Sequence, residues 1–345
     1  MKYLIVLAAS LFLLLCGGDL HAQFTPANPT AATGRIVLLV DEIKAIRNFP
    51  IVIAERLGYL KGDGVVVTVT NIRDDVSTAD MLMDGRVDAV MAYYHHNIVN
   101  QSEGRNFEAI VTLGVTPGAK VLVANHAKQK YATVADLKGS RIIAGGAGSS
   151  KTTVANALML AGGNRIADYT RIANESKDKI LSTLTSGAAD LVVAPTPDGD
   201  FYESQGAATV FADLTTVEGT KKHLGTLFPS ATVYMTTDRV NSHPEIAQHL
   251  ANAFVRTLKW INSHSAEEIA AVIPVEISGK DPAAYLKVLK QEIPMFASDG
   301  RMPVDGAEKE WRVLSEFNPK YKSVKVEQTF TNRFVDEALR SSNAR

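Results

Sequence analysis

Two clusters in this chain carry the residue types that a binding or reacting site needs. The first is Gly145-Gly146-Ala147-Gly148-Ser149-Ser150-Lys151-Thr152. It is one residue away from a phosphate-binding loop, because Ser150 stands where a glycine before the lysine lets the backbone wrap phosphates. No apolar strand ending in a metal-binding aspartate accompanies it, which argues against a nucleotide site. A strand, a glycine-rich turn and a helix start still gather free backbone N–H groups and the positive helix end at one point. With the hydroxyls of Ser149, Ser150 and Thr152 added, the turn suits an anion or a carbonyl oxygen. The same serines could equally do no more than cap the helix.

The second cluster is Tyr93-Tyr94-His95-His96. Two adjacent histidines at an extended strand end cannot both point at one metal ion, and no other histidine or acid stands at ligand spacing to them. Stacking on a solute, or hydrogen bonding to it, suits these rings better. The plainer alternative puts one ring in the core and another in water. Side chains alternate along an extended segment, so only every second residue is expected to face a common cleft. The chain has no G-x-S-x-G and no H-E-x-x-H, and Asp74-Asp75 reads as a solvated turn.

The elements that must position these clusters follow from apolar runs and their punctuation. Arg35 to Val40 (RIVLLV), Val65 to Val69, Asp88 to Ala92, Arg141 to Ala144 and Asp190 to Ala194 read as strands buried on both faces. Between them Pro50 to about Leu57, Ser77 to Asp84, Thr152 to Ala161 and Lys177 to Ser186 read as helices, opened by Pro or a Ser cap and closed by Gly. Strands alternating with helices predict a parallel α/β sheet. Leu82-x-x-Gly85-x-x-Asp88-x-Val90-x-Ala92 recurs as Leu184-x-x-Gly187-x-x-Asp190-x-Val192-x-Ala194, an offset of 102 residues. The same offset lays Asn48 on Ser150 and Pro50 on Thr152. Two lobes of like topology are expected, with the two helix starts facing each other across a crevice at the carboxyl ends of the strands. Tyr93 to His96 and Pro195-Thr196-Pro197-Asp198 follow the third strand of each half, as loops pointing at the same crevice. Lys120 to Asn125 and Ala231 to Thr236 read as further strands. Helices over about 244–262, 266–272, 283–293, 306–317 and 330–339 are expected to sit on the first lobe.

Composition bounds the rest. Lys2, the apolar run Leu4 to Cys16 and Leu20-His21-Ala22 have the plan of a secretory signal peptide cleaved after Ala22, and the run is too short for a comfortable membrane span. Residues 23–33 are polar and Pro-bearing and read as a disordered leader. Leu15 before Cys16 disfavours lipid anchoring there. Cys16 is the only cysteine, so a mature chain has no disulfide, thiolate metal site or cysteine nucleophile. With 36 Lys+Arg against 37 Asp+Glu, net charge −1, nothing suggests nucleic acid or an anionic membrane as partner.

These residues together resemble a known family. The resemblance rests on Phe49-Pro50 through Ala54-Glu55-x-x-Gly58-Tyr59 to Gly64-Val65-x-Val67, then Met81 to Ala92, then Val134 to Ile142 with Asp136-Leu137-Lys138-Gly139, then Gly148-Ser149-Ser150. In this order they are similar to the substrate-binding proteins of ABC transporters for nitrate, taurine, aliphatic sulfonates and thiamine-pyrimidine precursors. The resemblance implies a periplasmic-binding-protein (Venus-flytrap, type II-like) α/β fold, two doubly wound lobes joined by two crossover strands. Residues 34–122 plus 232–345 would form one lobe and 123–231 the other. The solute would sit among Asn48, Phe49, Tyr93, Tyr94, His95, Ser149, Ser150, Lys151, Thr152, Pro195 and Thr196, with no catalytic residue, no metal and no cofactor.

Helix dipoles, hydroxyls and Lys151 or Arg47 would favour a small anion of the sulfonate, taurine, nitrate or carboxylate class, with Tyr93, Tyr94 and Phe49 leaving room for an organic, even aromatic, body. The implied partner is an inner-membrane ABC permease, and the implied state is a periplasmic monomer. Some relatives are biosynthetic enzymes marked by a cysteine-rich motif that this chain lacks. An exported enzyme on the same fold would have only His95 or Asp198 as acid or base, and a receptor for a membrane sensor is a third reading.

Overall fold

The structure is a computed structural model and describes residues 34–62, 65–72, 77–173 and 175–343. The expected signal segment with Cys16, the leader, Gly64 and the Asp74-Asp75 turn lie outside the described residues. The first half runs β1 (Arg35–Val40), α1 (Phe49–Arg56), β2 (Lys61–Gly62), β3 (Val65–Asn71), α2 (Thr78–Met83), β4 (Ala89–Tyr93), α3 (His95–Gln101) and β5 (Phe107–Thr112). The second runs β6 (Ala119–Ala124), β7 (Arg141–Ile143), α4 (Ser150–Ala161), β8 (Thr170–Ile172), α5 (Lys177–Thr185), β9 (Leu191–Ala194), α6 (Thr196–Ser204), β10 (Ala208–Leu214) and α7 (Val217–Leu224). The chain then returns through β11 (Ala231–Thr236), α8 (Thr237–Ser242), α9 (Pro244–Ser263), α10 (Ala266–Val272), α11 (Val275–Ser278), α12 (Pro282–Glu292), α13 (Val304–Phe317) and α14 (Arg333–Asn343).

Two sheets result, ordered β2-β3-β1-β4-β11-β5 and β10-β6-β9-β7-β8. In the first, β1 runs parallel to β3 and β4, and β11 runs antiparallel to β4 and β5. In the second, β7 runs parallel to β8 and β9, and β6 runs antiparallel to β9 and β10. Strand for strand, β3-β1-β4-β11-β5 has its counterpart in β8-β7-β9-β6-β10. The recurring sequence motif is therefore a recurring fold, and the first lobe takes its antiparallel strand β11 from beyond the second half while the second lobe has β6 at its own start. The expected lobe division at 122/123 falls inside β6, whose residues 119–124 all pair within the second sheet; the crossing lies at 113–118.

The repeated aspartates explain why the motif recurs. Asp88, just before β4, accepts the Val37 N–H at 2.8 Å and the Arg239 guanidinium at 2.8 Å. Asp190, just before β9, accepts the Arg141 N–H at 2.9 Å and its guanidinium at 2.6 Å. Each carboxylate pins the start of the third strand to the first strand of its own lobe with charge-assisted bonds.

Both faces of each sheet are covered, which is why the strands read as continuous apolar runs. Residues of α1, α9, α10, α12 and α14 share one buried cluster with β1 and β4. The other face of the first sheet packs on α2, α3 and α13. The exception to the expected placement of C-terminal helices is α13: its Val313 enters the core of the second lobe while Ala307 and Leu314 pack into the first. Thr226 hydrogen-bonds Asp305 near its start.

The two crossing segments lie side by side. Gly114 N–H donates to the Ala231 carbonyl at 3.1 Å, and Ser230 N–H donates to the Gly114 carbonyl at 2.9 Å. A Cβ on Gly114 would overlap the Ser230 hydroxyl, so any larger residue there would force that side chain to turn away.

Candidate functional site

A cavity of about 330 Å³ opens where the two lobes and the two crossings meet. The first lobe contributes Glu42, Arg47, Tyr93 and His95; the second contributes Ser150, Lys151 and Pro195. Each arrives by a local rule. The third parallel strand, β4, ends at Tyr93, and the chain turns at once into α3. Tyr93 and His95 therefore face the cavity while Tyr94 is swallowed by the core, its hydroxyl on Thr329 at 2.5 Å. The alternation expected of this segment is present, although α3 replaces the expected extended end. Likewise α6 begins at Thr196, where a loop was expected.

The Gly-Ser turn divides its duties. Ser149 is the helix cap, accepting the Thr152 N–H at 3.2 Å, and its own hydroxyl donates to the Ala144 carbonyl at 3.1 Å. The Thr152 hydroxyl sits 2.7 Å from the Gly146 carbonyl oxygen and is buried. Both side chains are spent on the turn, and Ser150 and Lys151 are left facing the cavity. Burial pushes the Lys151 ammonium below its ordinary pKa, with Asp198 opposing. Asp198 itself pairs with Lys177 at 2.8 Å.

The first lobe does not repeat this. Residues 46–48 form a 3₁₀ turn that runs into α1, and the Phe49 N–H bonds the Ile46 carbonyl. The start of α1 is thus not the open counterpart of the start of α4. Asn48 is fully buried and donates to the Glu42 carbonyl at 3.0 Å. Phe49 is fully buried with its ring edge-on to Phe296 at 4.7 Å. Thr196 is buried and donates to the Glu292 carboxyl. Among the eleven residues proposed from sequence, Tyr93, His95, Ser150, Lys151 and Pro195 line the cavity. Asn48, Phe49, Tyr94, Ser149, Thr152 and Thr196 lie behind it.

Arg47 takes the place assigned to the first-lobe helix end. Its guanidinium meets Asp41 at 3.2 Å and Glu42 at 3.0 Å, and lies 4.9 Å above the Tyr93 ring. Burial disfavours its charge, but Tyr93, Asp41 and Glu42 outweigh that and raise its pKa. Burial pushes the Tyr93 phenol above its ordinary pKa against Arg47, and Tyr93 and Ser150 face the cavity from opposite lobes.

The remaining wall comes from residues that sequence reasoning passed over. Phe228 and Ser230 of the second crossing and Glu310 of α13 face the same space. Burial drives the Glu310 carboxyl well above the carboxylate range, and burial together with His96 drives His95 well below the imidazole range. Burial thus disfavours the charged form of each. Glu310 was detectable: Ala307, Glu310, Val313 and Leu314 share the apolar face of an amphipathic pattern, and a lone acid there is out of place. Glu292 beside Thr196 is also buried, and burial with Asp213 pushes it up to about 7 against Thr196 and Lys120.

Two pseudo-equivalent α/β lobes, two adjacent crossings and a cavity between them define a bilobed periplasmic-binding-protein fold. The chain belongs to the NMT1/THI5-like family, whose sequence profile matches residues 46–268. Solved structures agree. A protein of Bordetella bronchiseptica RB50 superposes with a TM-score of 0.72 at 27% identity, over 90% of this chain and 98% of that one. A periplasmic sulfonate-binding protein from Methylobacillus flagellatus KT gives 0.69 at 14% identity, over 90% and 95%. The desulfurization enzyme DSZB gives 0.59 at 14% identity, over 89% and 100%. No curated protein sequence matches the chain. Among the described residues no helix is long and apolar enough to cross a membrane.

Proposed function

We propose that this chain is the extracytoplasmic solute-binding component of an ABC importer, and that it captures a small organic anion in the interlobe cavity. The observation that carries this reading is the cavity wall itself: both lobes and both crossings contribute to it, with Tyr93 and Ser150 facing it from opposite lobes. A ligand held there is gripped by two bodies at once, which is how lobe closure traps a solute. Lys151, the Ser150 hydroxyl and the first turn of α4 favour an anionic head, and Arg47 adds a guanidinium edge. Asp41 and Glu42 already neutralise much of Arg47, so the cavity suits a single negative charge on a larger body. A volume of about 330 Å³ leaves space for that body beside Phe228. The fold shared with a sulfonate-binding protein supports the class, and a permease partner and a monomeric periplasmic state follow from the same reading.

Titration calorimetry and thermal shift with taurine, ethanesulfonate, benzoate and nitrate test it. An organic anion should raise Tm in a concentration-dependent way, and nitrate should do so least. Failure of all four at millimolar concentration removes the anion class. Conversion of any of them to product would make the chain an enzyme on the same fold, as its likeness to a desulfurization enzyme allows.

A further inference from the structure

The cavity has a second polar end that the anion reading does not use. Among the described residues, Glu310 Oε2 and Ser230 Oγ are buried side-chain atoms without a hydrogen-bond partner, and both residues line the cavity. Glu310 is 2% exposed and Ser230 is 1% exposed. His95, 4% exposed, stands with Nδ1 4.0 Å from Glu310 Oε1, too far for a hydrogen bond. Three elements thus bring polar atoms to one wall: α3, α13 and the second crossing. Each buried polar group without a partner forfeits its bonds to water, and among the described residues Arg47, which also lines the cavity, has such an atom in Nε. A wall with two such groups, and an imidazole standing just out of reach, has the form of a place where another molecule completes the bonds.

We propose that Glu310, with His95 and Ser230, forms a ligand subsite for a group that both donates and accepts hydrogen bonds, of the primary-amide class. The inference rests on the receptor reading and adds the second head of the solute. The chemistry selects among heads. A second carboxylate would carry its own charge onto a wall where burial already disfavours one. An ammonium would need the Glu310 carboxyl to ionise, and would enter a cavity that already holds Arg47 and Lys151. A neutral amide needs neither: its N–H₂ donates to the Glu310 carbonyl oxygen and its oxygen accepts from the Glu310 O–H, with Ser230 and His95 taking up the remaining valences. Glu310 is carried on α13, the helix that enters both lobe cores, so this subsite forms only when that helix is seated.

Four probes of equal backbone length test it: butyrate, succinamate, succinate and 4-aminobutyrate, titrated into the full protein by calorimetry. Succinamate should bind at least tenfold tighter than butyrate, and tighter than the other two. Equal binding of succinamate and butyrate, or a preference for succinate or 4-aminobutyrate, overturns the proposal. Glu310→Gln retains a donor and an acceptor and should keep the preference; Glu310→Met should abolish it. Thermal unfolding without any probe is an independent test. A carboxyl kept unpartnered for a ligand weakens the empty protein, so Glu310→Met should have a Tm at or above that of the wild type, by up to about 4 °C. A Glu310→Met variant that melts lower shows a structural carboxyl and sinks the subsite. If none of the four probes binds the wild type, it is the anion reading that fails, and the melting comparison alone decides on Glu310.

Discussion

Tyr93 and Ser150 face one cavity from opposite lobes, one at the end of β4 and the other in the first turn of α4. A hydrogen bond formed between their hydroxyls on lobe closure would contribute about 0.5–1.5 kcal/mol net, enough to bias an open–closed equilibrium several-fold. Tyr93→Phe should therefore lower solute affinity about two- to tenfold. Small-angle scattering of the solute-free protein should show a larger radius of gyration. A variant with unchanged scattering and affinity would mean that the contact does not hold the lobes together.

The two serines of the turn should separate under substitution. Ser149 caps α4, so Ser149→Ala should cost about 1 kcal/mol of stability and lower Tm by about 2–4 °C while solute affinity stays within twofold. Ser150 faces the cavity, so Ser150→Ala should melt near the wild type and bind several-fold more weakly. Paired melting and calorimetry curves check both, and the reverse pattern would contradict the division of labour seen in the hydrogen bonds.

Glu292 makes stability depend on pH in a defined direction. Its folded pKa is raised from 4.5 to about 7, so between those values the folded chain keeps a proton that the unfolded chain has lost. The stability that this group contributes is greatest below pH 4.5, falls as pH rises to about 7, and levels above that. The full span corresponds to about 3 kcal/mol. Urea unfolding at pH 5 and pH 7 should show the loss, and Glu292→Gln, which cannot titrate, should flatten it. An unchanged slope in the variant would place the titration elsewhere.

The twin aspartates should be of similar worth in their separate lobes. Asp88→Asn and Asp190→Asn each exchange a charge-assisted acceptor pair for a neutral amide facing an arginine. Each should lower stability by about 1–3 kcal/mol in urea unfolding. The two losses should add within about 0.5 kcal/mol, because the sites share no partner.

What could be read in advance divides along physical lines. RIVLLV and DLVVA announce strands because both of their faces are buried, and burial on both faces leaves no polar alternation to confuse them. The repeat around Gly85 and Gly187 was legible because each lobe needs the same turn and the same aspartate. The short strand Thr170–Ile172 has two exposed residues and no apolar run, and β5 carries Glu108 at a half-exposed edge position, so neither stood out. The helices α3 and α6 begin at strand ends with His and Thr-Pro, which read as loop chemistry. The cavity residues followed the same rule. Those next to a strand end or a glycine turn, such as Tyr93, His95, Ser150 and Lys151, were found from local pattern. Ser230 and Glu310 come from 80 and 160 residues after Ser150, and only the folded chain brings them there.

The position of β11 has a consequence for how the chain acquires its structure. It lies between β4 and β5, yet it is made after every strand of the other sheet. As the polypeptide emerges from N- to C-terminus, residues 119–214 can complete their sheet while residues 35–112 still lack an interior strand. The N-terminal lobe is thus the last to become whole, and until residue 236 is available the inner edges of β4 and β5 stand open to mispairing.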